Sequence, residues 1–93
     1  MKTVKVRLYG KVQGVNFRVM VQKKALDLNV KGFVKNDPYS ILIVHAVFQG
    51  EKKNIEKMLN FLRSNPGRSQ VEDIKVEDRK GESERFLSFE RKM

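Results

Sequence analysis

Two short stretches hold the groups that could handle an anion. The first runs Gly10-Lys11-Val12-Gln13-Gly14-Val15-Asn16-Phe17-Arg18, with two glycines four residues apart and then an asparagine, a phenylalanine and an arginine. Glycine permits backbone conformations that aim successive N–H groups into one concavity. A helix opening at Phe17 would add unpaired N–H groups and a partial positive charge, and an anion can accept both. Arg18, near the start of that helix, can fork onto two phosphate oxygens. Such a set makes a phosphate or carboxylate cradle, although it lacks the Gly-Lys-Ser/Thr ending of a nucleotide P-loop. Plainer readings of the same residues stand beside it. Gly10 and Gly14 can be a turn, Asn16 an N-cap, Phe17 a core residue and Arg18 a surface charge. The second stretch ends at Asn36, which could equally be a strand-end asparagine bonding its own turn.

The charge distribution reads first as a solvated basic surface and would also suit an anionic partner. The net charge is +9, and residues 1–35 carry nine Lys or Arg against a single acid, Asp27. Residues 36–93 carry eleven basic and ten acidic residues. The excess therefore surrounds the first stretch, where it would attract a phosphate ester, a nucleic acid or an anionic membrane if it is more than a solvated surface.

The elements that must position these groups follow from the hydrophobic pattern. Val4, Val6 and Leu8 alternate with Lys5, Arg7 and Tyr9, which predicts a strand with one buried face. Residues 10–15 read as a loop. Phe17, Val21, Ala25 and Leu28 fall at helical spacing, and that helix ends near Asn29, a residue that tolerates the left-handed conformation. A second strand is expected at about 30–36, a turn at Asp37-Pro38-Tyr39-Ser40, and a third, central strand from Ile41 to Phe48. Glu51 opens a second helix with Ile55, Met58, Leu59 and Leu62 on one face, and Ser64-Asn65-Pro66-Gly67 stops it. A fourth strand is expected at 70–78 with Ile74 and Val76, a turn at Lys80-Gly81-Glu82-Ser83, and a short last strand from Phe86 to Glu90. The order is β-α-β-β-α-β with an extra strand. It predicts an α+β, ferredoxin-like sandwich: an antiparallel sheet with two helices on one face and the other face partly open.

Length and composition bound the rest. A chain of 93 residues, 40% hydrophobic and 33% charged, suggests a single domain spanning 1–93. No apolar run approaches the ~20 residues of a membrane span. The opening residues lack the apolar core of a signal peptide, so a cytoplasmic location is expected. There are no cysteines and one histidine, which excludes disulfide and thiolate chemistry. No carboxylate cluster has metal-ligand spacing, so neither metal nor cofactor is expected.

The run Gly10 to Arg18 resembles the first signature of the acylphosphatase family, Gly-x-Val-Gln-Gly-Val-x-Phe-Arg. Gly10, Val12, Gln13, Gly14, Val15, Phe17 and Arg18 all match, and Asn16 stands at the variable position. Gly32-Phe33-Val34-Lys35-Asn36 resembles the start of the second signature, Gly-aromatic-x-Lys/Arg-Asn. That pattern continues Asn-x3-Gly-x-Val-x5-Gly, and here the sequence departs, with Ser40 and Phe48 at the two glycine positions. An insertion of about two residues in the turn restores Val44 and Gly50 and leaves Leu42 in place of glycine. The turn is therefore expected to be longer than usual, with Pro38 and Tyr39 in it. The segment Ser64 to Asp78 also broadly resembles the family's proline-containing loop before its fourth strand.

The resemblance implies an acylphosphatase, with Arg18 binding the phosphoryl group and Asn36 positioning the attacking water. The amides of Val12, Gln13, Gly14, Val15, Asn16, Phe17 and Arg18 would complete the phosphate cradle. It also implies that the water's proton passes to the substrate phosphate. The residue chemistry agrees with such a substrate. Asn and Arg do not titrate near neutral pH, so the leaving group must depart without a proton. A carboxylate, the anion of an acid with pKa near 4, does so; an alkoxide does not. An acyl phosphate is the expected partner, inorganic phosphate a product, and the chain is expected to act as a monomer.

Three alternatives bear on this. RNA-recognition domains share the element order, and Lys31-Gly32-Phe33 resembles the opening of their third-strand motif, but Val34, Lys35 and Asn36 break it. Nucleic acid is therefore not the expected partner. Acylphosphatase-like modules also occur at the front of carbamoyl-transfer proteins; the end of this chain soon after its last strand favours a separate enzyme. His45 would be the general base to suspect, yet the alternation of its strand puts it on the open sheet face.

Overall fold

The computed structural model describes residues 1–14, 16–80 and 84–92. Its elements run β1 (Lys2–Lys11), α1 (Phe17–Asp27), β2 (Lys31–Asn36), β3 (Ile43–Gly50), α2 (Lys52–Arg63), β4 (Gln70–Asp78) and β5 (Phe89–Lys92). The sheet order is β4-β1-β3-β2-β5. The first four strands pair antiparallel, as the element order predicts, whereas β5 joins β2 in parallel and makes the sheet mixed. No helix among the described residues is long and apolar enough to cross a membrane.

The period-2 pattern of β1 sets the two faces. Val4, Val6 and Leu8 are buried, and Val6 and Leu8 stand opposite Ala46 and Val44 of β3. Phe17, Val21 and Ala25 of α1 and Ile55, Met58 and Leu62 of α2 join the same core, together with Val34 and Phe48. Both helices thus cover one face. Leu28 is the C-cap of α1 and packs against the core only in part. Asn29 is left-handed at φ 55, Asn29 N donates to Leu26 O and Val30 N to Ala25 O. This paired closure satisfies the last carbonyls of the helix. Asn65, at φ 55 beyond α2, accepts a bond from Val71 N through its side chain.

Three expectations need correction. β1 continues through Gly10 to Lys11, because Gly10 lies where the β1–β4 register shifts by one residue. β3 starts at Ile43, two residues late, and runs on to Gly50. Ile41 and Leu42 are apolar yet exposed, since the chain spends residues 37–42 on the connection from β2. β5 likewise begins at Phe89, whose ring stacks on Phe48 with centroids 5.7 Å apart; Phe86 lies outside the strand and packs edge-on against Phe33. Of the turn expected at Lys80-Gly81-Glu82-Ser83, residues 81–83 lie outside the described residues.

Candidate active site

At one end of the sheet, β1 hands over to α1 beside the last residue of β2. A cavity of about 260 Å³ opens there. It brings Val12, Gln13, Gly14, Asn16, Phe17 and Arg18 together with Asn36, and adds Arg91 from β5. Val15, the remaining residue of the expected cradle, lies outside the described residues. A neighbouring groove of about 610 Å³ runs past Arg18 along α1 and β5. It touches neither Asn36 nor the loop, so only the smaller cavity brings the expected site residues together.

The loop conformation departs from a simple helix cap. Asn16 occupies the N-cap position of α1 but is left-handed, at φ 59 and ψ 22, and its side chain caps nothing. A capping asparagine adopts extended angles so that its oxygen can reach the amides behind it; the left-handed backbone turns that oxygen away. The expected cap is thus absent. The helical ladder starts at Met20 N, which bonds Asn16 O, and the amides before it have no carbonyl within the helix to receive them. Gly14 is also left-handed, at φ 73. Not every amide of the run is free: Val12 N donates to Gly10 O and Gly10 N to Leu42 O. Val12 is fully buried, and Phe17 is a core residue as well as a lining one.

The two polar side chains arrive from different elements. Asn36 shares the alternation of Gly32 and Val34, so it lies on the helix side of β2, at the strand's end. Its Oδ1 is buried and meets no hydrogen-bond partner among the described residues. Arg18 is half-buried, and its Nη1 donates to Lys92 O at 2.7 Å. The Gln13 side chain turns to the 37–42 connection, where Nε2 donates to Ser40 O and Ile43 O at 2.8 Å each.

The sequence assigns no position to Arg91, because its pattern ends the last strand at Glu90. The strand begins three residues later and ends two later, at Lys92, which includes this second guanidinium, on the cavity wall. Nor did it couple Asp37 with His45. His45 lies on the open face, across from Arg7 of β1 and Lys35 of β2, and its Nε2 sits 2.6 Å from Asp37 Oδ1. The Asp37 carboxyl is held below its ordinary range, first by that bond and then by the Tyr39 amide. Among the described residues, no group of three or more His, Cys, Asp or Glu could hold a metal ion.

Comparison with known proteins decides the family. The sequence model of the acylphosphatase family matches residues 4–90. The chain belongs to the acylphosphatase family. An acylphosphatase of Methanocella arvoryzae is 47% identical over 76 residues, which are 82% of this chain and 84% of that one. Another, from Archaeoglobus fulgidus, is 36% identical over 90 residues, 97% of each chain. The crystal structure of the Bacillus subtilis acylphosphatase superposes over the full length of both chains with a TM-score of 0.91 and 25% identity. Full-length HypF, solved in its phosphate- and nucleotide-bound form, has a TM-score of 0.87 and 28% identity; the alignment covers 99% of this chain but only 12% of HypF. The acylphosphatase activity, EC 3.6.1.7, is hydrolysis of the carboxyl–phosphate bond of acyl phosphates, and the matches to full-length acylphosphatases carry it to this chain.

Proposed function

We propose that Arg18 and the amides at the start of α1 bind the phosphoryl group of an acyl phosphate while Asn36 orients the attacking water. The observation that carries this is the Asn36 Oδ1 atom, buried and without a partner among the described residues, on a residue that lines the same cavity as Arg18. A buried acceptor without a partner costs about 1–3 kcal/mol, and few persist without reason. A water donating to Asn36 Oδ1 offsets that cost and stands beside a phosphoryl group held by Arg18.

Chemistry in this cradle is positioning and electrostatics. The equatorial oxygens of the transferring group gain charge in the transition state, and fixed donors stabilise it without reorganising. Arg18 supplies a fork, the left-handed loop and first helical turn supply N–H groups, and Arg91 on the cavity wall adds a second positive charge. The water attacks phosphorus, the bond to the carboxylate oxygen breaks, and the carboxylate leaves as its own anion. The water's proton passes to a phosphoryl oxygen. No general acid is used, and the guanidinium and amides carry the charge that a metal would otherwise neutralise. Amides of Gln13, Gly14, Asn16, Phe17 and Arg18 form the cradle; Val12 shapes its wall. The chain acts as a single-domain, monomeric, cytoplasmic enzyme, with a small-molecule acyl phosphate as its substrate and inorganic phosphate as a product.

Comparison of benzoyl phosphate with 4-nitrophenyl phosphate, each with and without a chelator, tests the reading. Turnover of benzoyl phosphate at the same rate in chelator, with the aryl ester cleaved far more slowly, is the expected result. Comparable cleavage of both, or loss of activity in chelator restored by added metal, would refute it.

A further inference from the structure

We propose that Asp37 and His45 are positioning residues for hydrolysis: their bond clamps the backbone that follows Asn36 and holds the Asn36 amide in line with the attacking water. The proposal rests on the assignment of Asn36 to that water.

Asn36 is the last residue of β2, so its side chain is only as fixed as the chain that leaves it. The first residues of that chain are held through Asp37. Asp37 N donates to Ile43 O at 3.0 Å, closing the connection at its base. Asp37 Oδ2 accepts from Tyr39 N and Ser40 N, each at 3.0 Å. Asp37 Oδ1 takes the 2.6 Å contact with His45 Nε2. Both side chains are more than four-fifths buried. An ionised carboxylate only accepts, so Nε2 carries the proton in this bond.

The placement separates function from packing. Asn36 lies on the helix side of the sheet, and His45 on the open side. The imidazole therefore never reaches the cavity and acts only through Asp37 and the backbone. Around it stand Arg7 from β1, Lys35 from β2, and Lys5 and Arg79, which line the same open-face depression. Arg7 feels both Asp37 and Glu77, and the bond to His45 is the first cause that holds the Asp37 carboxyl below its ordinary range. The cradle side adds bonds that do not involve the Asp37 side chain: Gln13 Nε2 donates to the carbonyls of Ser40 and Ile43, two residues that Asp37 also engages, and Gly10 N donates to Leu42 O. The cradle end thus has its own fastening, and loosening the Asp37 end disturbs the water more than the phosphate.

The test uses the full chain with benzoyl phosphate turnover, inhibition by inorganic phosphate and a thermal melt. Four variants are compared: His45→Leu, which removes the donor; His45→Gln, whose amide N–H can still reach Asp37; Asp37→Ser, which can keep a turn bond through its hydroxyl but cannot reach His45; and the double variant H45L/D37S. His45→Leu and Asp37→Ser are each expected to lower kcat about ten- to a hundredfold, since a displacement of an ångström can cost that much. KM and the phosphate inhibition constant should stay within about twofold of wild type, because ground-state binding is untouched. The double variant should lose no more than either single one, and His45→Gln should recover most of the loss. Wild-type kcat in the single variants, a parallel loss of phosphate affinity, or additive losses in the double variant would overturn the proposal. If one single variant fails to fold, the kcat and phosphate affinity of the other decide the question. Retained turnover in Asn36→Ala would instead defeat the water assignment itself, whatever the His45 variants do.

Discussion

Arg18 Nη1 donates to the Lys92 carbonyl at 2.7 Å, which ties the first turn of α1 to the last strand of the sheet. One nitrogen of the guanidinium is therefore fixed by the fold, and its remaining donors are available for a fork onto phosphate. Arg18→Ala removes a donor whose strength counts in the transition state. The expected loss in kcat/KM for benzoyl phosphate is about a hundredfold or more, with weaker inhibition by inorganic phosphate. Arg18→Lys keeps the charge but not the planar fork and should recover only part of the loss. Steady-state kinetics with phosphate as competitor measure both.

Gly10 and Gly14 look alike in the sequence and do different work. A Cβ on Gly10 would stand 2.2 Å from Gln70 O and 2.9 Å from Glu72 N, at φ +132. Both obstacles are backbone of β4, so they cannot swing away. Gly10→Ala should destabilise the fold by about 2 kcal/mol or more. A Cβ on Gly14, at φ +73, meets nothing within 4 Å. Gly14→Ala should cost only about 1–2 kcal/mol of backbone strain while disturbing the cradle, so activity falls more than stability. Urea unfolding beside turnover separates the two variants.

Asp37 gives the protein an acid-side dependence. Its carboxyl titrates below the ordinary range in the folded state, because His45 and the Tyr39 and Ser40 amides stabilise its charge. Such a group contributes stability that is fully present above its unfolded pKa of about 4 and lost as pH falls through its lower folded value. Asp37→Asn removes that contribution. Wild type should therefore exceed the variant in unfolding free energy near neutrality, and the gap should narrow below about pH 4. Denaturant titrations from neutral pH down to acid check this.

The fold was largely legible because its signals are periodic. Alternation at Val4, Val6 and Leu8 marked β1, and the four-residue spacing of Phe17, Val21 and Ala25 marked α1. Asn29 announced its own left-handed stop. The errors fall where apolar character and burial part company. Ile41 and Leu42 read as strand but stand exposed in the connection after β2, held there by Asx and backbone bonds that no hydrophobic pattern encodes. Arg91 escapes the sequence pattern because β5 begins three residues later than Phe86, at Phe89, which stacks on Phe48, and runs on to Lys92. Asn16 reads by residue type as a capping side chain, whereas its backbone is left-handed; residue type alone does not separate the two. The Asp37–His45 bond joins residues eight apart, and only the antiparallel register of β2 and β3 makes them neighbours.

Asn36→Ala probes the division of labour between water and phosphate most directly. Benzoyl phosphate turnover and the dissociation constant of inorganic phosphate should be measured on the same preparation. The expected outcome is a fall in kcat of about a hundredfold with phosphate affinity unchanged, because the Asn36 oxygen touches the water and not the anion. Equal losses of turnover and phosphate affinity, or turnover at the wild-type rate, would contradict the account.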